Sequence, residues 1–498
     1  MSSLFSQTEH AAASRHLWFI LVWLHRYLGV VLGLLMLVWF ASGIVMMYAP
    51  YPQRGETERV SALAPIPWSQ CCNFSGVTLA GGNLIAAAQI ENVADKPVLR
   101  LRSDGAQIVA DLTAGNIFAI GDAEAERIAV ISAERITGSV PVIRSAEKIE
   151  NDQWTVGDNS VNRRPLYRFA FDDPQETRLY ISSITGEVVV WTTREQRFWN
   201  WLGAIPHWLY FTELRRNGPL WVQIIIWTSL LGTFLTVIGL YLGIARFRAG
   251  RDGALSPYYG WFYWHHVTGL VFGLVTLTWV ISGLFSMQPW GFLESRGGDE
   301  RQTLSGASPQ WAEVQTSLNA IRLRDLADVV SIRAAPFAGN LYWLATHDDG
   351  RVTRLDDGGN PAPVTPDDLT QAANLLAGQR QIESAGLVDA EDAYYFRFQG
   401  FAERDPLVLP VYRVVLNDAE STRYYLAPST GALLLRVDAA ERGYRWLFSG
   451  LHRWDFTATL RSRPLWDIVV LFLMLGSTAG VATGVYLALR RIRLDLGA

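Results

Sequence analysis

Long stretches without charge dominate the pattern along the chain. Residues 17–48, 220–245, 261–287 and 465–489 are almost wholly apolar or aromatic, and each exceeds the roughly 20 residues that a helix needs to cross a bilayer. They predict four membrane helices and exclude a soluble fold, a coiled coil and a disordered chain. The first run spans 32 residues, beyond the roughly 7–15 of a signal-peptide core, and so predicts a retained helix. Between the runs the pattern turns α+β. Residues 98–102 and 106–111 alternate as strands around a turn at Ser103, Asp104 and Gly105. Residues 122–136 have helical spacing, and 166–171, 178–183 and 187–191 read as strands, with Gly186 at a turn. The second half repeats this, with Asp348, Asp349 and Gly350 at its first turn. Each segment is long enough to be expected to hold its own core.

The charge that remains sets the orientation. Arg15 precedes the first run, Arg246, Arg248 and Arg251 lie between the second and third, and Arg490, Arg491 and Arg493 follow the fourth. Basic residues mark the cytoplasmic side, so both termini are expected there. The resulting division is a cytoplasmic N-terminus (1–16), span 1 (17–48), an external domain (49–205), and an interfacial segment with span 2 (206–245). A cytoplasmic loop (246–260), span 3 (261–288) and a second external domain (289–450) follow. An interfacial segment with span 4 (451–489) and a cytoplasmic tail (490–498) complete it. In a bacterium the external side is the periplasm and the membrane the inner one.

Only 18% of the 498 residues are charged, against about 25% in ordinary soluble proteins. With a net charge of −4 and no basic domain, nucleic acid is excluded as a partner. The two cysteines, Cys71 and Cys72, are adjacent. They cannot by themselves build a zinc or iron–sulfur site, no C-x-x-C-H exists for covalent haem, and two inert thiols are expected rather than a vicinal disulfide.

A shift of 245 residues brings the halves into register. Residues 165–168 (Pro-Leu-Tyr-Arg) fall on 410–413 (Pro-Val-Tyr-Arg), Thr185 and Gly186 on Thr430 and Gly431, and His207 on His452. Pro219, Leu220 and Trp221 fall on Pro464, Leu465 and Trp466, and Gly239 and Tyr241 on Gly484 and Tyr486. In the first span the shift is 240: His25 meets His265, Gly29 and Gly33 meet Gly269 and Gly273, and Trp39 and Ser42 meet Trp279 and Ser282. The expected fold is therefore an α-helical membrane protein of four transmembrane helices. They form two parallel repeats about a pseudo-two-fold axis along the membrane normal, each carrying a periplasmic α+β domain.

Five of the eight histidines belong to this repeat: His25, His207, His265, His452 and His266, the neighbour of His265 that aligns with Arg26. An ionisable residue in a span is a candidate functional residue, because hydrocarbon burial is costly. Matched across the axis, His25 would face His265 at one depth and His207 would face His452 at another. Two such pairs suit the axial ligands of two b-type haems. Gly29 and Gly33 follow His25 on one helix face, as Gly269 and Gly273 follow His265, and leave room for a macrocycle or for close helix packing. Two histidines could also bind zinc, but no Asp, Glu or Cys sits at helical spacing from His25 or His265. Pro219 and Pro464 look like first helical positions, which would raise the His207 and His452 pair to the periplasmic interface. Arg216 and Arg461 could neutralise propionates or an anionic substrate, or snorkel.

Leu24, His25, Arg26, Tyr27, Leu28 and Gly29 opening a span, Leu451, His452 and Arg453 before another, and the run 185–189 (Thr-Gly-Glu-Val-Val) resemble the PepSY-associated transmembrane family. Its members include iron-regulated inner-membrane proteins and siderophore reductases. The resemblance implies PepSY-like periplasmic domains and two b haems passing electrons outward to a ferric siderophore or other Fe(III) chelate, for iron acquisition. Ligand roles carry over to His25, His207, His265 and His452; the doublet leaves His265 and His266 open, with the repeat favouring His265. No G-x-G-x-x-G lies between a strand and a helix, so a flavin or nicotinamide site is not expected. The electron donor would be membrane quinol or a cytoplasmic reductase. The rival readings are a haem-bearing subunit of a larger oxidoreductase, a permease, and a membrane-anchored PepSY binding module without redox activity.

Overall fold

A computed structural model describes residues 2–53, 55–79, 83–103, 106–247, 256–324, 326–398, 407–495 and 497, with side chains from residue 16 onward except at 158 and 159. The side chain of Arg15, together with Arg248, Arg251 and the turn at Asp104 and Gly105, therefore falls outside what is described. Four helices are long and apolar enough to cross a membrane: His16–Met46, Gly218–Arg246, Gly260–Phe285 and Leu465–Asp495, spans 1 to 4 below. Span 2 starts where Asn217 caps the amide of Leu220 and Pro219 occupies the first turn. Span 4 begins directly after Pro464. Spans 1 and 3 each pack on both spans 2 and 4, closing a ring of four helices. Leu32, Met36, Phe40, Leu235, Val275, Trp279, Val280, Val470 and Met474 fill its centre, while Phe19, Val31, Leu274 and Phe472 stay exposed on the outside, the surface lipid would cover.

The first external segment contributes β1 (Ala87–Val93), β2 (Lys96–Ser103), β3 (Ala106–Asp111) and β4 (Asn116–Ile117), then β5 (Val142–Ile149), β6 (Leu166–Asp172), β7 (Arg178–Ser182) and β8 (Val188–Thr192). The second contributes β9 (Val329–Ala334), β10 (Trp343–His347) and β11 (Val352–Leu355), then β12 (Gln381–Val388), β13 (Val411–Asn417), β14 (Arg423–Leu426) and β15 (Leu433–Val437). Strands β5–β8 and β12–β15 form separate four-stranded antiparallel sheets. The remaining strands do not stay within their segments. They form one seven-stranded sheet, β11-β10-β9-β1-β2-β3-β4, joined by antiparallel pairing of Ile90 with Ile332 and of Gln89 with Arg333. Beneath it lies one core built from both segments, with Ile66, Ile90, Leu99 and Leu101 packed among Val314, Leu318, Ile332 and Trp343. Each segment also keeps a core of its own, around Ile128, Phe169 and Leu179 in the first and around Leu376, Val414 and Tyr424 in the second, so the shared core is an addition to the two expected. A strand edge left unpaired is a liability, and each segment covers its own with the other's.

The sulfurs of Cys71 and Cys72 are joined as a disulfide, a correction to the expected thiols: no other cysteine competes, and Cys71 is buried in the shared core.

The Thr-Gly turns hold the layers together. Gly186 and Gly431 both have φ near +70°, which favours glycine, and a Cβ at Gly186 would press on Phe118, Ile120 and Ile128. Beside Gly186, Thr185 accepts Arg100 Nε through its carbonyl (3.0 Å) and donates its hydroxyl to Glu187 (2.9 Å). Burial alone would raise the Glu187 carboxyl, but Arg100 and Arg163, with Arg163 bonded to it at 3.0 Å, outweigh this and hold it down at about 2. Its stabilising effect is complete above the ordinary value of 4.5 and is lost as pH falls toward 2. Glu187→Gln should therefore cost about 2 kcal/mol near pH 7. The gap to wild type should close on acidification below pH 4.5, read from melts of the two proteins in one detergent.

Candidate functional site

Inside the ring of spans, His25 and His265 face each other with ring centroids 6.2 Å apart. His207 and His452 do the same at 6.1 Å. The two pairs lie at different depths: His207 bonds the carbonyl of Trp39, fourteen residues along span 1 from His25, or about 21 Å of helix rise.

All four rings are held through Nδ1. His25 Nδ1 meets the Leu235 carbonyl at 3.2 Å, and His265 Nδ1 meets the carbonyl of Gly480 and the hydroxyl of Thr483, both at 3.2 Å. His207 Nδ1 meets the Trp39 carbonyl at 2.9 Å, with Ser42 Oγ at 3.3 Å. His452 Nδ1 meets Ser282 Oγ at 2.9 Å, and that hydroxyl spends its own hydrogen on the Trp279 carbonyl. Every Nδ1 is therefore a donor, which fixes the tautomer and leaves the lone pair on Nε2. Among the described residues no Nε2 of these four has a hydrogen-bond partner.

Glycines missing from the sequence-derived site make the approach possible. A Cβ at Gly239 would lie 2.6 Å from His25 Cε1, and one at Gly484 would lie 3.0 Å from His265 Cε1. Their match across the 245-residue shift was the available signal. The other glycines divide. Gly29 and Gly269 face open space beside the His25 and His265 pair. A Cβ at Gly33 would touch Val485, and one at Gly273 would strike Leu240, so those two serve close helix packing. His266 is buried with both nitrogens occupied, Nδ1 by Ser256 Oγ and Nε2 by the Gly243 carbonyl, each at 2.9 Å. It ties span 3 to span 2 and does not join the pair.

Spans 2 and 4 begin at the prolines, as expected. His207 and His452 reach residues 39–42 and 279–282, inside the ends of spans 1 and 3 at Met46 and Phe285. The connecting chain folds back to bring them there. After β8, Thr193 opens helix Arg194–Leu202 with a capping box, and Gly203, seated against Val45, redirects the chain into Ala204–His207. After β15, Asp438 caps helix Ala439–Tyr444, and a π-helical stretch, Arg445–Gly450, leads into Leu451–Arg453. Each segment is then fastened to its own span by an indole: Trp221 Nε1 donates to the Trp208 carbonyl (2.8 Å) and Trp466 Nε1 to the Arg453 carbonyl (2.6 Å). Trp279 Nε1 also donates to the His452 carbonyl at 2.8 Å, whereas buried Trp39 Nε1 has no partner among the described residues.

Arg216 and Arg461 are not brought together. Arg216 is exposed and paired with Glu213, because the chain turns it outward and buries Arg215 instead, over Tyr210 and Trp221. Arg461 is buried 3.9 Å over Phe396, with Glu391 at 3.8 Å.

Such an arrangement can grip a metal between opposed imidazoles. Two metal–imidazole bonds of about 2 Å, with about 1 Å more to each ring centre, put the centroids about 6 Å apart. Ligating histidines characteristically donate their other nitrogen to a carbonyl or similar acceptor, as all four do here. No group of three or more His, Cys, Asp or Glu that could hold a metal occurs among the described residues.

The segment carrying His452 depends on one buried ion pair. Asp455 is fully buried and receives Arg445 at 2.8 Å; burial pushes its carboxyl up, against the pull of Arg445 and Arg453. Arg445→Ala, leaving that carboxylate alone, should destabilise the protein by about 3–5 kcal/mol, more than Asp455→Asn does, measured by thermal melting in detergent.

No curated protein matches the chain. A family described as the PepSY-associated TM region matches residues 22–491, so both histidine pairs and both external segments fall within it. The chain belongs to the PepSY-associated TM family.

Proposed function

We propose that this protein is a dihaem b electron conduit of a bacterial inner membrane, a ferric-siderophore reductase serving iron acquisition. The observation that carries the reading is the pair of imidazole pairs at 6.2 and 6.1 Å, with every Nδ1 hydrogen-bonded and no Nε2 partnered among the described residues. His25 with His265, and His207 with His452, would be the axial ligands, with Gly29 and Gly269 leaving space at the first pair. Haem b supplies a one-electron Fe(III)/Fe(II) couple at each site when bound.

The topology is part of the proposal. Two parallel repeats about a pseudo-two-fold axis account for the matched histidines meeting in pairs and for the pairing of Ile90 with Ile332. The arginines at 246, 490, 491 and 493 favour cytoplasmic termini and periplasmic sheets. Electrons then enter at the cytoplasmic pair and leave at the periplasmic one, where a ferric siderophore or other Fe(III) chelate accepts them. Trp208, next to His207, packs on Tyr51 and Tyr210 at 5.8 and 5.5 Å. Those two side chains line a cleft of about 650 Å³ in the first external segment, which offers the acceptor a place beside the exit.

The test is a dithionite-reduced minus oxidised visible spectrum of detergent-purified protein, with haem per chain from the pyridine haemochrome. A b-type spectrum near two haems per chain is expected. His25→Ala and His452→Ala should each lose one, Gly239→Val should lose the His25 site, and His266→Ala should keep both. A colourless protein would overturn the proposal in favour of a membrane-anchored binding module.

A further inference from the structure

The two copies are alike at their histidines and differ beside them. On the outer surface of spans 3 and 4, next to His265, runs a groove of about 380 Å³ lined by Gly260, Trp261, Trp264, Thr268, Ala479 and Thr483, a size ordinary for small-molecule sites. At the matched positions of spans 1 and 2 stand Ile20, Leu21, Leu24, Leu28, Phe234 and Ile238. At Gly260, Thr268, Ala479 and Thr483 the second copy has the smaller side chain, at Trp261 and Trp264 the larger, and the first copy has neither hydroxyl.

Those hydroxyls point to the occupant. Thr483 Oγ1 donates its hydrogen to the Gly480 carbonyl at 2.7 Å, and Thr268 Oγ1 donates its hydrogen to the Trp264 carbonyl at 2.7 Å. A hydroxyl has one hydrogen and two lone pairs; Thr268 Oγ1 keeps both lone pairs and Thr483 Oγ1, which already receives His265 Nδ1, keeps one, so each has only acceptor capacity left to show the groove. A ligand here must bring O–H or N–H donors on an otherwise apolar body. Trp261 and Trp264, both about half exposed, supply flat faces for a ring. Thr483 Oγ1 is also 3.2 Å from His265 Nδ1, so a group bonded to it is one hydrogen bond from a proposed haem ligand.

We infer that this groove binds a lipid-soluble hydroquinone, which is the electron donor. The inference rests on the conduit reading and selects between its two donors. The balanced reaction is one hydroquinone and two Fe(III) chelates giving one quinone, two protons and two Fe(II). The two O–H bonds break, the protons pass to water at the cytoplasmic end, and the electrons leave one at a time through the bundle. The reduced ring is the donor form that the threonines select; the quinone, with acceptor oxygens only, is released.

The experiment uses full-length protein in detergent under anaerobic conditions, with duroquinol as the probe. Ala479→Phe and Thr268→Leu each install the residue of the first copy. Wild type should be reduced by duroquinol, and each variant at least tenfold more slowly, at unchanged haem content and unchanged reduction by dithionite. In parallel, a photoreactive azidoquinone should label the peptide containing Trp264 in wild type and not in Ala479→Phe. Equal reduction rates in all three proteins would overturn the inference. So would labelling of the same peptide by a photoreactive fatty acid that excess duroquinol fails to displace, which would assign the groove to lipid. A haem-free preparation would sink the conduit reading instead, and the azidoquinone labelling would still decide the groove.

Discussion

A hydrogen bond from imidazole Nδ1 to an oxygen on a facing helix underlies the arrangement of the transmembrane core. A ring nitrogen buried without a partner costs about 1–3 kcal/mol, and helix carbonyls are already bonded within their helix. Each carbonyl keeps a second lone pair, however, and Leu235, Gly480 and Trp39 use theirs in this way. The bond sets ring orientation and tautomer together. It also sets how near two helices stand, because a ring can reach the opposite backbone only where no Cβ intervenes. Gly239 and Gly484 meet that condition.

The external layers reinforce the same geometry. Where β1 meets β9, the seam carries Glu91, nearly inaccessible to solvent, held by Arg59 and by Arg100 at 2.7 Å. Gln89 bridges from Glu91 to Ser331 across the seam. Arg100 continues through Thr185 to the turn that leads into β8, from which the His207 segment descends. The shared sheet is thus tied by buried polar contacts to the turn before β8, and from there to the bundle by the chain itself.

Much of this was legible in the residues. Charge-free runs marked the spans because no other structure tolerates 25 or more apolar residues in sequence, and matched histidines marked the pairs. Three features were not legible. The depth of His207 and His452 depends on a chain reversal at Gly203 and on a π-helical stretch, neither of which leaves a periodic trace. Gly239 and Gly484 carry the same letter whether they admit a ring or a neighbouring helix, and only coordinates separate them from Gly33 and Gly273. The joined sheet was hidden because alternation in β1 and β9 reports a buried face, not the identity of the strand alongside.

That joined sheet has a consequence for how the protein is made. When β1 leaves the ribosome, its partner strand is still some 240 residues away, behind two spans that have yet to enter the membrane. At about 5–20 residues per second, the edge of β1 waits roughly 12–50 seconds, long enough for stray strand pairing with other nascent chains. Whatever shields that edge meanwhile, whether a chaperone or the membrane surface, helps decide the yield of assembled protein as much as the stability of the finished fold does.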